Sequence, residues 1–122
     1  MNLAEARTAL ADAVSTLDGV TCTARPVRSN LRLGDAYVTI GRVTPGQFLG
    51  STAVVLSAFV NLGSDEATAD AKVEELSIPL LECADALYPA GAAVEAQAVS
   101  AGDGVPGVIY QLALSVTLEL SE

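Results

Sequence analysis

The sequence predicts an α+β fold in two layers. A mostly antiparallel sheet carries two helices packed on one face, in the order α-β-β-β-α-β-β, and residues 1–122 form one domain. Three observations carry that prediction. Two segments, near 3–17 and 65–87, repeat apolar residues at intervals of three and four. Two long segments, beginning at Ser51 and Val108, alternate apolar residues with small or polar ones. Shorter alternating segments, broken by Gly, Pro and Asp, place strands in runs rather than singly between helices.

Asn2 followed by Glu5 is a variant capping box that opens the first helix. Leu3, Ala6, Leu10, Ala13, Val14 and Leu17 make its apolar stripe, and Asp18-Gly19 is expected to end it with a left-handed glycine. A short strand over 20–24 stops at Pro26. The periodicity then dissolves over 25–33, where Arg25, Arg28 and Arg32 define an exposed, positively charged loop or poorly paired edge. Residues 36–43 are strand-like, with Tyr37, Thr39 and Gly41 alternating against Ala36, Val38 and Ile40, and Thr44-Pro45-Gly46 is expected to turn.

Residues 51–62 predict a central strand. Val54, Leu56, Ala58, Val60 and Leu62 form one face, and the other carries Ala53, Val55, Ser57, Phe59 and Asn61, so both faces are partly apolar. Two helices suffice to cover one face, and another copy of the chain is expected to cover the second. The second helix should run over 65–87, capped at Gly63-Ser64-Asp65, with Ala69, Val73, Leu76, Leu80, Ala84 and Leu87 inward. Glu74, Glu75, Glu82 and Asp85 fall outside, and Pro79 predicts a kink. A weaker strand over 91–100, a hairpin loop over 101–107 with its Gly102-Asp103-Gly104 turn, and a strand from Val108 to about Leu120 complete the order. In that last strand Tyr110, Leu112, Leu114, Val116, Leu118 and Leu120 are expected to lie on both helices.

Composition narrows the function. Hydrophobic residues make up 51% but aromatics only 4%, so the core is built from Ala, Val and Leu. No apolar run approaches the roughly 20 residues of a membrane span, and Glu5, Arg7 and Asp12 interrupt any signal-peptide pattern. These features predict a soluble protein with no membrane partner. The net charge of −9 argues against a surface that grips nucleic acid. The charge is also split: residues 1–64 hold five Arg against four acids, for +1, whereas 65–122 hold eleven acids against Lys72, for −10. Two readings of the split stand, an ordinary solvated surface or a charged face that meets a partner.

No histidine or tryptophan occurs, so a histidine-based nucleophile pair and an imidazole metal site are excluded. Phosphate-cradling glycine loops are missing. Cys22 and Cys83 are too few for a disulfide scaffold or zinc site and suit small buried hydrophobes, with a single redox bridge as the alternative. Cys22 as a nucleophile lacks an evident base. The expectation is no enzyme, no cofactor and no metal. The candidate residues are those of an interface: Arg25, Arg28, Arg32 and Arg42, whose planar forks suit carboxylates, with Val55 and Phe59 on the second face of the central strand. The arginines read equally as solvated charge.

The layout of LAEARTALADAVSTLDGV, TCTARP, a basic loop, two long strands, SDEATADAKVEELSIPLLECADAL and a terminal VIYQLALSVTLEL resembles a known family across the whole chain. It is similar to the tail terminator (tail completion) proteins of long non-contractile-tailed bacteriophages, of the lambda terminator type. The Ala-rich, Lys-poor composition resembles phages of high-GC actinobacterial hosts. The resemblance implies a virion protein assembled in the host bacterial cytoplasm into a homo-oligomeric ring of six subunits. That ring caps the tail tube protein, stops its polymerisation, meets the head–tail connector or stopper, and lets DNA pass through its lumen without sequence-specific binding. The family offers no motif that assigns individual residues. Two other readings remain, another neck protein such as a head-completion stopper or connector, and a cellular α+β ligand-binding module.

Overall fold

A computed structural model describes residues 2–26, 32–46, 50–87, 89–100 and 107–121. Its elements are α1 (Leu3–Val14), β1 (Thr21–Thr23), β2 (Asp35–Pro45), β3 (Ser51–Gly63), α2 (Glu66–Cys83), a 3-10 turn (Ala84–Leu87), β4 (Gly91–Ser100) and β5 (Val108–Ser121). The fold is α+β in the expected order. The five strands form one sheet, β1-β2-β3-β5-β4, antiparallel throughout except for β1 beside β2.

The start of α1 follows from Asn2, whose side chain accepts from the Glu5 amide at 2.8 Å. The helix stops at Val14, earlier than its apolar stripe predicts. Thr16 donates from Oγ1 back to Ala13 O, and Leu17 N and Val20 N close successive turns, so Leu17 joins the core from a turn. Gly19 takes the expected positive φ of 75°, but within that turn rather than as the helix cap.

Gly34 ties three strands together. It accepts from Thr21 N and donates to Asn61 O, at φ 90°, and a Cβ there would collide with Gly19 O. β2 then runs further than expected. Thr44 and Pro45 are its last residues, paired with Ala53 and Thr52, so the strand takes in two of the three residues expected to turn. Pro45 is tolerated because, among the described residues, no strand lies on the outer side of β2 at that end, away from β3, so proline removes no ladder donor there.

At α2, Asp65 is the cap. Its carboxylate accepts from Thr68 Oγ1 (2.7 Å) and Thr68 N (2.9 Å), and those bonds lower its pKa. The helix runs through Pro79 to Cys83, and its expected last turn is the 3-10 segment. Glu74, Glu75, Glu82 and Asp85 are exposed as expected, and Lys72 pairs with Glu75 at 3.3 Å.

The core lies between sheet and helices. Leu56, Ala58 and Val60 of β3 and Leu112, Leu114 and Val116 of β5 are buried beside Leu10, Val14, Leu76 and Leu80. One expectation is corrected here. β5 packs under α2 and the 3-10 turn, whereas α1 covers β1, β2 and β3. The reason is topological, since β5 is separated from β2 by β3. No helix is long and apolar enough to cross a membrane among the described residues.

Arg7 belongs to the fold rather than to the surface charge. It is 9% exposed, and Nη1 donates to Ala24 O (3.3 Å) and Val38 O (3.2 Å). Ala36 O accepts from Thr23 on the outer edge of β2, so Val38 O, two residues on, faces the same edge. The guanidinium therefore takes over where β1 ends. Arg7→Met keeps the apolar stem but leaves two carbonyls short of a donor, and should cost about 2–4 kcal/mol in urea unfolding. Unchanged stability would place those carbonyls in water.

Candidate assembly surface

Both helices lie on one side of the sheet, and among the described residues no element packs on the other. Strand register sets the layout of that open face. One row across β2, β3, β5 and β4 reads Tyr37, Phe59, Ala113, Glu95. The next reads Thr39, Ser57, Ser115, Ala93. A third joins Val55, Thr117 and Gly91. The β2 register jumps between Ile40 and Val43, so Gly41 and Arg42 together oppose Val55 in a bulge.

This face is apolar around Tyr37 and Phe59 and carries small or polar side chains elsewhere. The Tyr37 and Phe59 rings sit 5.6 Å apart between centroids, tilted by 35°, in the range of favourable aromatic pairs. Both are half-buried, as is Val55. Small side chains fill the middle, where Ser57 and Ser115 share a hydrogen bond of 3.3 Å. Ala113 is only 3% exposed although nothing described overlies it, because Phe59 and Glu95 flank it on neighbouring strands. Such a surface offers little for gripping a small molecule and much for lying against another protein.

The candidate residues divide. Val55 and Phe59 share the open face, four residues apart on β3, and the bulge adds Arg42 beside Val55. Arg25 is exposed just past β1, and Arg32 is exposed in the turn where its amide donates to Asp35 Oδ2 at 2.9 Å. Seven residue steps along the extended β2 separate Asp35 from Arg42, about 23 Å. Among the described residues, Arg25, Arg32 and Arg42 are thus strung along the β1–β2 side of the sheet rather than gathered into one cluster. Arg28 lies outside the described residues, as does the Gly102-Asp103-Gly104 turn.

Several surface residues were not singled out by the sequence reading. Tyr37 was assigned to a strand but not to a surface. Ile40 and Val43 are 37% and 56% exposed along β2, and Ile78 and Leu81 are 69% and 42% exposed on α2. The signal for the last two was present: they fall out of phase with Leu76, Leu80 and Cys83.

The thiols face inward. Burial, reinforced by nearby Cys83, pushes Cys22 up to about 11, and burial likewise raises Cys83, whose Sγ donates to Ala13 O and Pro79 O. At neutral pH Cys22 is therefore held as the thiol, which leaves it a poor nucleophile. The hollow between the 18–20 turn, Gly34 and α2 holds about 180 Å³, below the roughly 300–1,000 Å³ of small-molecule sites. A depression of about 330 Å³ over Cys83 is shallow and wide open. No protein-family model matches the chain, and no curated protein matches it either.

Proposed function

We propose that the chain is a structural virion protein, one subunit of a ring at the head–tail junction of a long-tailed phage. In this reading it caps the tail tube, halts its growth and joins it to the head connector, and it is not an enzyme. The open sheet face carries the reading. An aromatic pair and Val55 lie on a five-stranded sheet with nothing described above them, a surface of the kind that subunits and their neighbours cover. Other copies in the ring and the tube protein it caps are the occupants proposed. The observed element order supports the reading as well, since it is the order on which the resemblance to tail terminators rests. A six-membered ring requires unlike surfaces to meet head to tail, and an acidic protein suits a channel through which DNA slides, since phosphate binding needs Lys and Arg.

Deleting the gene from the phage that carries it tests the reading. Overlong tails are expected in electron micrographs, with the chain missing from the neck. Tails of normal length on heads that lose their DNA would assign the protein to the stopper instead. Normal particles would remove it from the neck altogether.

A further inference from the structure

The sheet ends in two unequal edges. Among the described residues β4 is an edge strand along its whole length, in unbroken register with β5 from Gly91 opposite Thr117 to Ser100 opposite Val108. Its sequence, GAAVEAQAVS, holds no proline and a single charge, Glu95. Strands that end a sheet in a lone protein are usually kept short, bulged or heavily charged, because their free amides and carbonyls invite another strand. β4 has none of those protections beyond Glu95.

At the opposite side, β1 pairs with β2 only through Asp35, Ala36 and Tyr37, and Arg7 occupies Val38 O. Residues 39–45 of β2 therefore have no strand on their outer side among the described residues, and 40–45 are exposed. This free stretch is guarded by the 41–42 bulge and by Arg42, its one charge.

We infer that copies of this chain join edge to edge, β4 of one beside the free stretch of β2 of the next, with Glu95 meeting Arg42. The inference rests on the ring reading and says how its subunits are joined. Three observations support it. First, the sense is right: three antiparallel steps separate β2 from β4, so the two run in opposite directions and neighbouring copies in the same orientation pair them antiparallel. Second, the charges lie on one face. Glu95 is beside Ala113, which is opposite Phe59, and Arg42 opposes Val55 on that same side. Third, the self-pairing alternative is disfavoured. A symmetric β4–β4 contact centred on the strand sets Glu95 opposite or one diagonal away from its own copy, and like charges so placed oppose pairing. Arg42 and the bulge then act selectively, deterring strands that lack an acid at the matching place.

Charge reversal tests this in solution. Arg42→Glu, Glu95→Arg and the double variant are compared with the wild type by native mass spectrometry and sedimentation across a concentration series. Circular dichroism checks the fold, which exposed edge residues should not disturb. The wild type is expected to self-associate as concentration rises, each single reversal to weaken association about tenfold or more, and the double variant to restore it. Singles that associate like the wild type, a double that fails to recover, or a wild type that stays monomeric throughout would each overturn the edge pairing. The two readings fail separately. A charge-sensitive oligomer absent from the neck leaves the join and removes the proposed function. A neck ring indifferent to both reversals does the opposite.

Discussion

Leu114→Asp should leave the chain unfolded at all temperatures, with a flat far-UV thermal melt. Leu114 is 0% exposed in the middle of β5, opposite Ala58 on β3 and Val94 on β4. Its neighbours on the helix side are Leu112 and Val116, also buried, so a carboxylate there meets hydrocarbon. The substitution removes the buried leucine, typically 2–5 kcal/mol even for replacement by alanine, and adds the desolvation of an unpaired acid. Together these match or exceed the roughly 5–15 kcal/mol that a domain commands. Ser115→Asp, one residue along and on the open face, is the control. It costs the Ser57 hydrogen bond but should still melt cooperatively. Equal damage from both would mean the open face is as closed as the core.

Phe59→Glu should separate folding from assembly. The ring is half-buried, tilted against Tyr37 and beside Ala113, and away from the helices. Losing the aromatic pair should lower stability by about 1–2 kcal/mol, leaving a folded protein. Assembly should suffer far more, because an aromatic at the centre of a contact commonly contributes 2–4 kcal/mol to it. Incorporation of the purified variant into tails made without the protein should fall about 100-fold relative to wild type, with Val55→Asp acting in the same direction. Full incorporation of both variants would remove β3 from every interface.

The fold was legible because its chemistry is local. Asn2 and Asp65 announce helix starts through side chains that reach only three residues along the chain, and the two long strands declare themselves by strict alternation. Even the central place of β3 followed from apolar residues on both faces. What could not be read is where strands sit beside one another. β5 inserts between β3 and β4, and nothing local encodes that, although the result is physically sensible. The strand with the longest row of Leu and Val takes the interior, and the alanine-rich β4 takes the edge.

The candidate site was half legible for the same reason. Val55 and Phe59 could be paired because residues four apart on a strand share a face. Arg42 joined them through a bulge, which depends on the register of β2 against β3. Arg7 was counted with the positive charge of its half, yet its partners are carbonyls 17 and 31 residues away, beyond any local pattern. Arg32 and Arg42 lie apart because β2, which begins at Asp35, runs extended between them.

Imaging of assembled particles at side-chain resolution tests most directly whether the bare side of this sheet is a protein-binding surface. The account predicts a closed ring at the neck in which protein from an adjacent copy or from the tail tube packs on Tyr37, Val55 and Phe59. A neck in which those three side chains border solvent in every copy, or from which the chain is missing, would contradict it.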